Sequence, residues 1–530
     1  MIPASFFRDA PTAERRAPIL ASNVVATSQP LAAQAGLRML YQGGNAVDAA
    51  LAAAIALTVV EPTSNGIGSD AFAIVSDKGG QLHGLNASGK SPQAWSPARF
   101  AGRTEMPTLG WESVTTPGAV SAWVALSQKF GQLPFETLFE PAIAYARLGF
   151  LLSPITAQAW AAQVATRGIR PDWIATFLFQ GRVPQAGDLV QLPDHARTLR
   201  LIAQTGGEAF YRGELAQRMV THSESEGGAL TLHDLASHQP TWVQPLSREF
   251  EGVTLHELPP NGQGLAALLM LGILEHTPWR DFAPESAQSL HFQIEAMKLS
   301  FADIHEHLSD LDAMHLTTQE MLDNAYLKSR AQTIDPHRAQ APTCGIPRRS
   351  GTVYLTAADA DGCMVSFIQS NYMGFGSGVV VPGTGISMQN RGAGFSLEPG
   401  HPNEVGGGKR PFHTIIPGFV TRQGQPLMSF GVMGGAMQAQ GHAQMMARIF
   451  GHGQNPQFAA DAPRWQVFPT GEVGLEAGFA PAVSTELEAM GHRCHPMASG
   501  EAGGAQLIYC VAGGYIAASD WRKDGQAVGF

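Results

Sequence analysis

From Cys363 to Asn390 the chain carries no charged side chain. A stretch that long without a charge is expected inside a folded core. It continues a two-strand pattern. Thr352, Tyr354 and Thr356 alternate with Val353, Leu355 and Ala357, Asp359-Ala360-Asp361-Gly362 makes a turn, and Met364–Ile368 is a second apolar run. Two such runs about an acidic, glycine-bearing turn predict a β-hairpin. The segment leading into it, PTCGIPRRSG (342–351), is rich in Pro, Gly and Arg and reads as an exposed, cleavable linker. A threonine opening a buried strand directly after Gly351 has little packing reason to be there. If the Gly351–Thr352 bond were cut, Thr352 would carry a hydroxyl and a free α-amine on one residue. Such an amine has a reference pKa of about 7.7–8.0, which suits it to act as base for its own hydroxyl.

The rest of the composition narrows the setting. At 530 residues, 44% hydrophobic and 15% charged, the chain can bury a large core. A net charge of −10 argues against nucleic acid or an anionic membrane as partner, and Arg348-Arg349 and Lys409-Arg410 are too short to reverse it. Four scattered cysteines, with no CxxC pair, predict neither structural zinc nor a disulfide framework. The first residues, MIPASFFRDAPTAERRAP, lack the apolar run of a signal peptide, so a cytoplasmic location is expected.

Read in order, the chain predicts a strand at 22–29, a helix at 30–42 and a buried Ala-rich helix over Ala46–Val60 N-capped by Asn45. A glycine-bearing loop (62–70) then leads to a hairpin. Residues from about 130 to 350 are mostly helical, and those from 352 on are strand-rich, with one clear helix at 438–450. Helical and strand-rich halves without an internal repeat predict one composite layered fold with antiparallel sheets.

Several stretches together resemble the γ-glutamyltransferase superfamily of N-terminal nucleophile hydrolases: GGNAVDAALAAAIALTVVEPTSNGIGSD (43–70), LPPNGQGLAALLMLGIL (258–274), EAMKLSFADIHEHLSD (295–310), GTVYLTAADADG (351–362), FGSG (375–378), KRPFHTIIP (409–417) and GVMGGAMQ (431–438). The resemblance implies an α+β fold, a four-layer αββα sandwich of two stacked antiparallel sheets between helical layers. It implies self-cleavage between Gly351 and Thr352 into a large chain (1–351) and a small one (352–530) that stay associated, with a dimer of that pair left open. No cofactor and no metal are expected.

Thr352 would then be the nucleophile in both processing and turnover. Gly434-Gly435, between a strand and a helix, resembles the family's oxyanion hole. Ser370 matches a hydroxyl beside the nucleophile. Asn371 and Tyr372 stand where relatives carry Leu-Asn, so Tyr372 offers a hydroxyl in place of an amide. Other positions depart from the glutamyl pattern: Ser88 stands near the usual carboxylate-binding Arg, Arg391 and Gly394 replace the Gln and Asp that hold the α-amino group, and His413-Thr414 replaces a Ser-Ser pair. A cation thus stands where an acid would meet an ammonium. That favours an anionic acyl group without the amine, gripped by Arg391, as in the oxamate amidohydrolase branch of the superfamily. Oxamate is the lead substrate. A γ-glutamyl hydrolase or transferase, a glutaryl-type acylase and an unprocessed binding protein are the alternatives. The polar set Asp303, His305, His307, Asp310 and Asp312 is read as a solvated helix face rather than a metal site, and GFGSG (374–378) lacks the spacing of a nucleotide loop.

Overall fold

The computed structural model describes residues 16–167, 170–340 and 351–530, so the linker residues 341–350 lie outside it. Two seven-stranded antiparallel sheets dominate the described residues. The strand Gly351–Ala358 is central in one of them, between Val24–Thr27 and Met364–Tyr372. Met364–Tyr372 pairs in turn with Asp70–Ser76. The second sheet is built around Gln425–Met433, flanked by Gly418–Arg422 and Gly504–Val511.

Side-chain parity along Gly351–Ala358 divides the core. Val353, Leu355 and Ala357 pack outward on helices that include Ala46–Val60, whereas Tyr354 and Ala358 face the second sheet in an apolar layer with Ile508, Phe419 and Met433. The outer face of the second sheet is covered by helices Gly264–Leu274, Ala287–His307 and Met437–Met446. Helix, sheet, sheet, helix is the order of layers expected from the resemblance.

Local chemistry explains the helix that backs the Gly351–Ala358 strand. The Asn45 side chain accepts hydrogen bonds from Val47 and Asp48 N–H, and the Asp48 carboxylate in turn accepts the Asn45 N–H, a reciprocal cap. Every residue of Ala46–Val60 is buried, which small side chains permit at close helix–sheet approach. The second half of the chain is more helical than its composition suggests, with further helices at Pro456–Asp461 and Pro481–Ala489. The latter packs beside a small sheet whose strands Val473–Glu476 and Cys494–Met497 run parallel. Among the described residues no helix is long and apolar enough to cross a membrane.

Candidate active site

Thr352 lies at the end of the slot between the sheets and is 2% exposed. Strand pairing slips between Gly351 and Val353, a local bulge that frees Thr352 from the regular ladder. Its Oγ1 donates to Ser370 Oγ at 3.2 Å and accepts from Gln438 Nε2 at 3.3 Å. Ser370 Oγ also accepts the Tyr372 N–H at 2.8 Å. Two groups therefore orient the threonine hydroxyl. Gln438 was not among the expected site residues. Its signal is an amide one helical turn beyond the glycine pair, on a helix from which the side chain reaches Thr352.

Gly434 and Gly435 follow Met433, with φ of 124° and 64°, a region that L side chains rarely enter. Their N–H groups donate to no acceptor among the described residues, while Gln263 Nε2 fixes the Gly435 carbonyl at 2.8 Å and the Thr414 carbonyl at 2.6 Å. The turn is braced from behind. Gly434 stands against Gly503, and Gly503 follows Ala502, whose carbonyl is held by Arg464 in a buried cluster with Asp520, Arg522 and Glu476. Within that cluster the two arginines hold the Asp520 carboxyl down to about 2 against the cost of burial.

Arg391 is buried, 1% exposed. Its Nη1 donates to Thr414 Oγ1 at 2.9 Å and its guanidinium carbon lies 4.7 Å from the Tyr372 ring centroid. Nε and Nη2 are buried without a hydrogen-bond partner. Those two N–H groups share one edge of the guanidinium, the edge that takes a carboxylate with two parallel hydrogen bonds. Burial lowers the Arg391 pKa to about 10, and Asp70 opposes the shift; the side chain stays charged at neutral pH. Tyr372 has φ of 78°, a conformation costing about 1–3 kcal/mol for a residue of its size. Its N–H on Ser370 and its ring on Arg391 tie the strained residue to both the hydroxyl pair and the guanidinium.

The other expected positions fall as follows. The Asn371 amide is engaged at both ends, accepting from Ser69 Oγ at 2.8 Å and donating to Ser387 Oγ at 3.1 Å. His413 is fully buried, with Nε2 3.2 Å from Asp70 Oδ2. Asp70 was not anticipated. Its Oδ1 accepts the N–H groups of Gly89 and Gly118 at 3.2 and 3.1 Å. Ser88 Oγ donates to Asn86 at 2.7 Å, and its carbonyl is held by Arg410. Gly394 lines the groove described below. The polar helix-end set is less solvated than expected. Asp303 is buried and paired with Arg330 at 2.7 Å, and burial lowers the His305 pKa to about 4. Asp310 accepts the Arg410 N–H at 3.0 Å.

A groove of ≈ 660 Å³ opens beside Tyr372, Ala393 and Gly394 and runs past Phe395, Phe412 and His305. Its size is in the range of small-molecule sites.

The gamma-glutamyltranspeptidase family profile matches residues 32–530. The chain is 34% identical over 516 residues to a glutathione hydrolase-like YwrD proenzyme of Bacillus subtilis, covering 96% of this chain and 98% of the relative. It is 35% identical over 514 residues to an oxamate amidohydrolase proenzyme of Klebsiella pneumoniae, covering 94% and 97%. A crystal structure of cephalosporin acylase from Bacillus halodurans superposes with a TM-score of 0.94 at 45% identity, over 99% of this chain and 98% of that one. The chain belongs to the gamma-glutamyltranspeptidase family and is an amidohydrolase with the N-terminal nucleophile hydrolase fold.

Proposed function

We propose that the protein cleaves itself between Gly351 and Thr352 and then hydrolyses amides of small anionic acyl groups, with oxamate, giving oxalate and ammonia, as the first substrate to test. The observation that carries the substrate class is Arg391. A charged guanidinium shut away from water, with an unspent bidentate edge, is costly unless an anion meets it.

In processing, Thr352 Oγ1 attacks the Gly351 carbonyl carbon and the resulting ester is hydrolysed, leaving the large chain 1–351 and the small chain 352–530. In turnover, the substrate carboxylate caps Arg391 Nε–H and Nη2–H. The Thr352 α-amine takes the proton from Oγ1 as the oxygen attacks the amide carbon. Gly434 and Gly435 N–H groups hold the developing oxyanion, and the α-amine passes its proton to the departing amine. Water then attacks the acyl ester by the same route and releases the acid. Ser370 and Gln438 keep Oγ1 aimed at the carbonyl. The family relatives' designation as proenzymes supports the processing step.

A second reading is favoured by the groove beside Tyr372. Glutaryl amides also present an anionic acyl group without an amine, and ≈ 660 Å³ leaves room for a bulky leaving group. A panel of oxamate, a γ-glutamyl anilide and a glutaryl anilide, assayed with the processed enzyme, decides among them. Preference for the γ-glutamyl compound would sink the anionic-acyl assignment.

A further inference from the structure

His413 and Thr414 are adjacent, and each holds a different charge: His413 Nε2 meets Asp70 Oδ2 at 3.2 Å, and Thr414 Oγ1 meets Arg391 Nη1 at 2.9 Å. Asp70 and Arg391 are thus carried on one short segment, both shut away from solvent, and each acts electrostatically on the other. In the free site above neutral pH their charges balance. A substrate carboxylate on Arg391 would leave a net negative charge in a medium that solvates it poorly, which is expensive.

We propose, building on the reading of Arg391 as the acyl-anion anchor, that Asp70 is its resident counter-ion and a specificity determinant: binding of an anionic acyl group draws one proton from solvent onto the Asp70–His413 pair. The proton completes a carboxylic acid at Asp70; no bond other than O–H forms, and none in the substrate breaks.

The surroundings decide which group takes the proton. Burial raises Asp70 to about 7, with Arg391, the two glycine N–H groups and Arg410 pulling it down. Loss of Arg391's field to the incoming anion pushes it higher. His413 is held well below its ordinary value by burial and by Arg391, so it stays the neutral partner. Among the described residues Tyr211 also interacts with Asp70, and burial holds its hydroxyl un-ionised. Ser370 is the sheet partner of Asp70 and lies between it and Thr352, whose α-amine, once freed, is the other nearby proton acceptor. Both Asp70 oxygens are already engaged by Gly89, Gly118 and His413, which leaves Asp70 a poor partner for a substrate ammonium despite its charge. The pair therefore disfavours zwitterionic acyl groups and makes binding of anionic ones fall as pH rises.

Calorimetric titration of the processed enzyme with oxalate at pH 8, in two buffers of different ionisation enthalpy, measures the proton count. Wild type should take up close to one proton per site, and its Kd should weaken by about tenfold per pH unit above neutrality. Asp70→Asn should still bind oxalate, with the uptake lost and a flat pH profile. Uptake that persists in D70N belongs to the Thr352 amine and overturns the proposal. Oxalate binding by wild type without uptake also overturns it while leaving the Arg391 reading intact, and failure to bind oxalate overturns both. Should D70N not fold, wild type alone suffices: KM should rise with pH for oxamate and not for its uncharged ethyl ester, and parallel profiles contradict the assignment.

Discussion

Replacing Arg391 by Met removes the guanidinium and keeps much of the side-chain volume. The size of the effect can be worked from the contacts. Two unspent N–H groups are available for the substrate carboxylate, and hydrogen bonds to charged groups contribute about 1.5–3 kcal/mol each. Loss of both predicts about 3–6 kcal/mol, or roughly a hundred- to twenty-thousand-fold in kcat/KM for an anionic amide. Folding should survive. The partner left behind, Asp70, already has its pKa raised to about 7, so it can neutralise by taking a proton rather than remain as a buried lone charge. Self-cleavage should proceed, since Thr352 Oγ1 is held by Ser370 and Gln438 and not by Arg391. The assay is steady-state hydrolysis of oxamate and a glutaryl anilide, with a denaturing gel to show two fragments. A fall of less than fivefold, in fully processed R391M, would refute the anchor.

Gly434→Ala puts a Cβ at 3.0 Å from the Gly503 Cα on a backbone of φ 124°, so the turn must shift; kcat should fall by about a hundred- to a thousandfold with KM for oxamate changed far less. Asp520→Ala strands Arg464 in the interior while Arg522 keeps Glu476, and losing one partner of a buried pair costs about 3–5 kcal/mol; the unfolding midpoint in urea should drop accordingly. The two arginines hold Asp520 down to about 2, so the stability it contributes is present above the ordinary carboxylate range and is lost as pH falls toward 2. For turnover, the base must be a neutral amine, so kcat should decline as pH is lowered through about 7.7–8.0. A kcat flat from pH 6 to 9 would count against the α-amine as base.

Much of this architecture could be read along the chain, because its signals are local. Asn45 followed by an Ala-rich run marks a capped, buried helix, and its bounds, Ala46–Val60, coincide with those observed. Asp359–Gly362 marks the turn of the central hairpin, and two consecutive glycines after an apolar strand mark a backbone turn that side chains cannot adopt. What escaped is what depends on distant partners. Asp70 gains its character from Gly89, Gly118 and His413, and Asp520 from Arg464 and Arg522; no periodicity carries such pairings. Asp303 looks like one charge in a polar helix face until Arg330, from another helix, covers it. The strands Trp465–Val467, Val473–Glu476 and Cys494–Met497 are too short for alternation to stand out, and one pair is parallel, which no hairpin turn announces. The side chains that orient the Thr352 hydroxyl divide in the same way: Ser370 lies in the partner strand of the hairpin, whereas Gln438 arrives from a helix of the other layer.

The central claim concerns one peptide bond. Intact-mass analysis of freshly folded protein over time, beside Thr352→Ala, tests it most directly: wild type should convert to two fragments, the smaller beginning at Thr352, with amidase activity rising in step, while T352A stays whole and inactive. Hydrolysis at the wild-type rate by an uncut chain, or by T352A, would contradict the account.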